Sequence, residues 1–170
     1  IEALKFPWTC LVEKPLGYNL NETIQIKKKI KNKKKLYAAL NRSHYSSTNE
    51  ILKLIKNDKS TRIINIYDNQ HTTNLKKEGV PNKVIKNWIF SNSIHLIDYC
   101  RIFARGSVQK YQNILDVKIN TQRYFVKKII FSSGDIVLFH SIWNKPGPWS
   151  LNISTERFYF NLNPLENLSY

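Results

Sequence analysis

The sequence predicts an α/β segment running into an α+β domain. The first is the end of a doubly wound parallel sheet; the second has an open, mostly antiparallel sheet with helices on one face. Three observations carry this. Strand, helix and strand signals follow one another early in the chain, an order that favours parallel pairing. After residue 107 the composition turns to runs of Val, Ile, Phe, Tyr and Trp separated by turn residues. The leading part is too short for a complete doubly wound domain, so it reads as the tail of one. The division is drawn at residues 1–42 and 43–170, with the second part incomplete at its C-terminal end.

The elements follow in order. Trp8-Thr-Cys-Leu-Val12 is a short apolar run that reads as a buried strand over 9–13, stopped by Glu13-Lys14-Pro15 because proline donates no ladder hydrogen bond. Asn19 with Glu22 three residues on resembles a capping box, and Thr23, Ile26 and Ile30 form a helical stripe, giving a helix over 20–33. Lys35 to Leu40 is the next strand, ending at Asn41-Arg42. Ser47 and Glu50 form a second capping-box pattern before a helix near 48–57. Thr61 to Tyr67 reads as a strand and the polar stretch 68–90 as a long loop. A helix is expected over 91–104. Segments 108–119, 123–131, 135–144 and 149–162 then read as an antiparallel meander.

The bulk numbers exclude several classes. The chain has 170 residues, of which 42% are apolar, enough for a packed core and too many for general disorder. No run approaches the roughly 18 apolar residues of a membrane span, and no signal peptide is visible. The absence of methionine, at the start and throughout, suggests a fragment. Cys10 and Cys100 lie in apolar segments without metal-ligand spacing and read as reduced core residues of a cytoplasmic protein. The formal charge of +15 invites a nucleic-acid reading. Against it, lysine far outnumbers arginine, and the densest run, Lys27 to Lys35, falls where lysines complement a helix dipole and stay solvated. No nucleic-acid or membrane partner is expected.

Two residues are candidates for chemistry. A lysine at a strand tip, Lys14, stands where α/β sheets build ligand sites; the plainer reading is a surface lysine. His95, in Ser91-Asn92-Ser93-Ile94-His95-Leu96-Ile97-Asp98, shares a helix face with Ser91 and Asn92 one turn before and Asp98 nearly one turn after. Such neighbours can fix its tautomer and shift its pKa; the plainer reading is a partly buried structural histidine. His44, His71 and His140 show no metal-ligand spacing, and His140 is expected on a sheet surface. With five glycines in the chain, no phosphate-binding glycine fingerprint is present.

The order Val-Glu-Lys-Pro-Leu (12–16), Leu-Asn-Arg (40–42), His-Leu-Ile-Asp (95–98), then Arg101-Ile-Phe and Gly106, resembles the Gfo/Idh/MocA oxidoreductases, from residue 3 to about 166. Each piece alone is weak; the spacing of Glu-Lys-Pro and His-x-x-Asp makes the pattern fairly specific. The resemblance implies an N-terminal Rossmann domain for NAD or NADP, of which residues 1–42 are the C-terminal remnant, and a C-terminal domain with an open sheet. It implies that Lys14 sits near the nicotinamide and the substrate hydroxyl, and that His95 exchanges the hydroxyl proton, supported by Ser91, Asn92 and Asp98. Glu13, Lys14, Pro15, Asn41 and Arg42 would line the cofactor, and Trp88 with His95 the pocket of a sugar-like substrate. Association into a homo-oligomer would use the outer face of the C-terminal sheet. No metal is implied.

Two departures qualify this. The family often carries an aspartate three or four residues before the histidine, where this chain has Asn92 and Ser91. The glycine turn that holds the dinucleotide pyrophosphate is missing, so this chain alone is expected to bind NAD(P) weakly or not at all. The expected function is part of an NAD(P)-dependent oxidoreductase acting on a sugar, sugar-nucleotide or polyol hydroxyl, the chain by itself being inactive. The alternatives are a catalytically degenerate binding or scaffold protein and a basic nucleic-acid-binding domain.

Overall fold

The computed structural model describes residues 2–30, 35–119 and 122–170. Strand β1 (Cys10–Val12) pairs in parallel with β2 (Leu36–Ala38), and helix α1 (Leu20–Lys29) lies between them in the chain, the predicted strand–helix–strand order. The Asn19 side-chain oxygen accepts from the Glu22 amide at 3.0 Å, and the Glu22 carboxylate reaches back to the Tyr18 amide at 3.0 Å, one residue earlier than a capping box requires. Lys27, Lys28 and Lys29 occupy the last turn of α1 and are exposed. The rest of the expected helix, residues 31–33, lies outside the described residues, as does most of the remaining lysine run.

After a short 3₁₀ turn over Asn41–His44 come α2 (Ser46–Leu54), β3 (Ile63–Gln70), α3 (Asn82–Lys86), a π-type turn over Ile89–Ser93 and α4 (Ile94–Phe103). The remaining strands are β4 (Val108–Ile119), β5 (Gln122–Phe131), β6 (Ile136–Trp143), β7 (Ser150–Ser154), β8 (Tyr159–Leu162) and β9 (Leu168–Ser169). With β3 they form a seven-stranded sheet in the order β4-β5-β6-β3-β7-β8-β9.

Register explains where the core sits. Ile64 pairs with Val137 and Ile153, and Ile66 with Phe139 and Leu151. Beyond β7, Phe160 faces Ile153 and Leu162 faces Leu151. Paired residues share a sheet face, so these rows make one apolar surface. Ile51 and Ile55 from α2 and its C-cap, and Leu96, Tyr99 and Phe103 from α4, pack into the same buried cluster. Helices thus cover one face, as expected.

Several expectations need correction. The strands are not all one meander. β4, β5 and β6 are antiparallel, but β6 pairs in parallel with β3, and the chain then crosses to the other side of β3 to continue as β7. Turn residues reveal local hairpins and are silent about a partner far back in sequence. Segment 149–162 is two strands, β7 and β8, joined by a turn in which the Thr155 hydroxyl accepts from the Arg157 and Phe158 amides. The stretch 68–90 is not a structureless loop: β3 runs on to Gln70, and α3 falls within it. Ser47 caps nothing; the N-cap of α2 is Tyr45, and the Ser47 hydroxyl donates to the Leu165 carbonyl at 2.9 Å.

The first strand is not buried either. Leu11 is 75% exposed, because a two-stranded sheet supplies no second layer over that face among the described residues. Cys10 is half-buried and Cys100 buried, both as free thiols; burial pushes the Cys100 thiol up to about 12.

Candidate active site

β3 and β6 run in parallel, so their C-terminal ends coincide, and the rows of the sheet change character there. One pair beyond Ile66–Phe139 is Asp68–Ser141, and one pair beyond that is Gln70–Trp143. Period-2 alternation keeps Asp68 and Gln70 on the same face as Ile64 and Ile66, so two polar side chains are carried under the helices at the strand ends.

Both are buried and paired. The Asp68 carboxylate accepts from Gln70 Nε2, Ser93 Oγ (2.7 Å), Ser141 Oγ (3.2 Å) and Trp143 Nε1 (3.3 Å). Burial nonetheless outweighs those bonds and raises its pKa above the usual carboxylate value. Gln70 Nε2 also donates to Ser93 Oγ at 2.6 Å, so its Oε1 is left to accept from Trp88 Nε1 and from Asn92 Nδ2, the latter at 2.8 Å. The indole N–H is donor-only and the carboxylate acceptor-only, which fixes the direction of the whole chain of bonds. Asn92 is therefore held with one amide hydrogen committed inward.

Lys14 follows β1, with a cis peptide to Pro15. Its Nζ donates to the Ser91 carbonyl at 2.7 Å. That carbonyl lies in the π-type turn, and the Ser91 hydroxyl donates to the Asn87 carbonyl at 3.3 Å. Burial lowers the Lys14 pKa, the positive charge of Arg42 lowers it further, and Glu13 opposes both. His95 sits in the first turn of α4, 6% exposed, with a buried Nδ1 that has no hydrogen-bond partner. Burial first, then Arg42 and Lys14, bring its pKa down to about 4. Neutral at pH 7, it can accept a proton.

Arg42 lies over Trp149, its guanidinium carbon 4.6 Å from the ring centroid, and His95 is tilted against the same indole at 6.4 Å. The Arg42 side chain thus turns toward the seven-stranded sheet, while Asn41 is exposed in the 3₁₀ turn. Arg42, Trp88, Asn92, Trp149 and the Asn69–His71 end of β3 line a cleft of about 330 Å³. A larger hollow of about 490 Å³ lies against Val117, Ile119, Tyr124, Ile142 and Trp143; Lys14 and His95 line neither, and the smaller cleft is nearer to them through Arg42 and Trp149.

Lys14, Arg42, Ser91 and His95 are thus brought together, and Asn92 and Trp88 converge on Gln70. Asp98 is not part of the group: its carboxylate pairs with Arg101 at 2.6 Å, one helical turn on, and makes no hydrogen bond to His95. Ser91 contributes its backbone carbonyl to Lys14, and its hydroxyl is turned back into the helix. Sequence reading missed Asp68 and Gln70. The available signal was their phase, two residues apart and in step with Ile64 and Ile66. Among the described residues no group of side chains could hold a metal ion, and no helix is long and apolar enough to cross a membrane.

No family model matches the sequence, and no curated protein matches it. Solved structures do. A dehydrogenase from Chromobacterium violaceum superimposes with a TM-score of 0.74 at 17% identity, covering 98% of this chain and 50% of that one. The WlbA dehydrogenase from Bordetella pertussis, solved with NADH and UDP-GlcNAcA, gives 0.78 at 10% identity, covering 99% and 57%. The myo-inositol 2-dehydrogenase from Lactobacillus plantarum gives 0.68 at 17% identity, covering 94% and 51%. The fold is that of the C-terminal half of Gfo/Idh/MocA-type dehydrogenases. The chain spans about half the length of these structures.

Proposed function

We propose that this chain is the substrate-binding part of an NAD(P)-dependent oxidoreductase acting on a sugar, sugar-nucleotide or polyol hydroxyl. The observation that carries this reading is the convergence of Lys14 and His95 on Arg42, which lines a cleft, with His95 kept neutral by burial and the two neighbouring cations. The neighbours that hold NADH and a UDP-sugar supply the reaction class.

The residues present fit only one end of the cofactor. Lys14, Glu13 and Pro15 at the tip of β1 and Asn41 beyond β2 would border the nicotinamide. No glycine turn for the pyrophosphate is present, and the uncovered face of Leu11 and Tyr37 is where we place the remainder of a dinucleotide domain, with the boundary at residue 42. A bound nicotinamide supplies hydride exchange at the carbinol carbon. The chain's own part is proton handling and orientation. Nδ1 of His95 lacks a partner, so the tautomer protonated there leaves Nε2 as the proton acceptor. The Lys14 ammonium, fixed by the Ser91 carbonyl, stabilises negative charge developing on the oxygen. Asn92, locked by Gln70, keeps an amide oxygen and one N–H for substrate hydroxyls. The exposed apolar residues of β4, Tyr111, Ile114 and Val117 among them, suit association with a second copy.

In the intact parent, His95→Ala should lower turnover by about 10²–10⁴-fold with cofactor affinity unchanged, read as nicotinamide reduction over a panel of sugars; unchanged turnover overturns the role. One observation favours a second reading. Ser91 and Asn92 supply no carboxylate to the pair, as a catalytically degenerate binding protein would show. Such a protein binds sugars and reduces no nicotinamide with any of them.

A further inference from the structure

Arg42 lines the cleft, Lys14 and His95 lie close to Arg42 outside that lining, and no carboxylate lines the cleft. Among the described residues neither Lys14 nor Arg42 forms a salt bridge. Arg42 has a buried Nε without a hydrogen-bond partner; its nearest side-chain partner is the Tyr45 hydroxyl at 3.5 Å, at the limit of a hydrogen bond. The carboxylates nearby do not compensate. Glu13 is exposed and acts on Lys14 only through space. Both Asp68 oxygens are occupied by Gln70, Ser93, Ser141 and Trp143, and burial disfavours its charge. Beyond the larger effect of burial, Arg42 repels the Lys14 ammonium, and both cations disfavour protonation of His95. A planar guanidinium without a carboxylate partner, set over an indole and lining a cleft, is suited to a carboxylate or phosphate group.

We propose that the substrate of this site is an anionic sugar whose carboxylate or phosphate sits on the Arg42 guanidinium, with Asn92 and Asn69 reading its hydroxyls. Asn69 lines the same cleft and its buried Oδ1 has no partner, so a turn of the amide toward the cleft would present an acceptor to a sugar hydroxyl. A neutral polyol would leave the paired cations uncompensated; an anion offsets their repulsion and fixes the ring relative to His95. This rests on the oxidoreductase reading for the identity of the ligand as a substrate, but its test contains no cofactor.

The chain is titrated at low salt with glucuronate, glucose 6-phosphate and glucose, following tryptophan fluorescence and checking the result by calorimetry. At least one anionic sugar should bind about tenfold or more tightly than glucose, since a charge-assisted contact is worth that much. Arg42→Gln should lose about the same factor. Arg42→Lys, which keeps the charge but not the fork, should recover part of it, and circular dichroism shows that both variants fold. Saturation by glucuronate alone assigns a carboxylate, and by glucose 6-phosphate alone a phosphate. Equal binding of glucose, full retention of anion affinity in Arg42→Gln, or no binding by either anion overturns the proposal. Anion binding at Arg42 by a chain whose intact parent reduces no nicotinamide would sink the oxidoreductase reading and leave the anion site standing.

Discussion

Two buried charge clusters lie at the two ends of α4, and they are built on opposite rules. Beyond the C-terminal end, Asp135 is fully buried and completely paired. It accepts from the Arg62 and Arg105 amides at 3.0 and 2.8 Å and from the Arg105 guanidinium at 2.7 and 3.0 Å. Arg62 in turn donates to the carbonyls of Phe103 and Ile55, which end α4 and cap α2. At the N-terminal end, Lys14, Arg42 and His95 crowd together with no carboxylate in hydrogen-bond contact, Glu13 acting on Lys14 only through space, and Arg42 Nε and His95 Nδ1 are left unpartnered. Burial acts on both groups. At Asp135 it works to raise the pKa but is overridden by Arg105 and two backbone amides, which hold it at about 2; at His95 burial and the cations act together and take it to about 4. A cluster centred on a fully paired carboxylate holds the fold, even though Arg62 Nε beside it has no partner, whereas one in which cations outnumber the carboxylates is poised for a ligand.

The largest effect that can break this contrast is at Asp135. Asp135→Ala leaves Arg105 and Arg62 facing a buried gap and should lower stability by about 3–5 kcal/mol, measured by the midpoint of urea unfolding. A loss below about 1 kcal/mol would mean that the pairing is as weak as a surface ion pair and that the two ends of α4 do not differ in kind.

The next effect separates the clusters by pH. The folded pKa of His95, about 4, lies below its ordinary 6.5, so the unfolded chain binds the proton more readily between those values. Its contribution is present above pH 6.5 and lost as pH falls toward 4, by about 2 kcal/mol allowing for solvent screening. Asp135 is depressed from 3.8 to about 2, so its contribution is present above 3.8 and lost only below that, toward 2. Urea midpoints followed from pH 8 to 3 should fall first through the histidine window, and His95→Asn should remove that first fall while sparing the second. A single fall confined to the carboxylate window would show that His95 is not held neutral by the fold.

The same contrast explains what could be read in the sequence. Asn19 and Glu22, the strand–helix–strand order, and the break between the strand segments 123–131 and 135–144, where Gly134 takes a φ of 86°, are local features and were legible. Lys14 and His95 were legible as a pair only through resemblance, because Lys14 is tied to the turn before His95 through the backbone carbonyl of Ser91, which side-chain patterns do not reveal. Asp98 misled, since a carboxylate three residues after a histidine is equally three residues before Arg101, and the arginine won. Asp68 and Gln70 looked like loop residues because polarity usually marks solvent. Four donors, two of them from β6 and one from the π-type turn, are what make their burial tolerable, and those partners are invisible until the sheet is assembled. The parallel pairing of β3 with β6, which sets the polar row beyond the apolar rows, is likewise a long-range fact.

The smallest expected effect is the most discriminating, because it concerns a large charged residue whose removal should barely matter to the fold. Arg42→Gln removes the cation–π contact with Trp149, worth about 0.5–1 kcal/mol, and at the same time removes the repulsion that the Lys14 ammonium now bears. The two changes oppose each other, so the urea midpoint at pH 7 should stay within about 1 kcal/mol of the parent. The relief should appear in titration instead: followed through its ring protons by NMR, His95 should move up from about 4 toward its ordinary 6.5, stopping short of it because burial, its largest cause, remains. A His95 that does not move in Arg42→Gln, or a stability loss as large as that of Asp135→Ala, would show that Arg42 is held as a structural residue and that the unpaired end of α4 resembles the paired one.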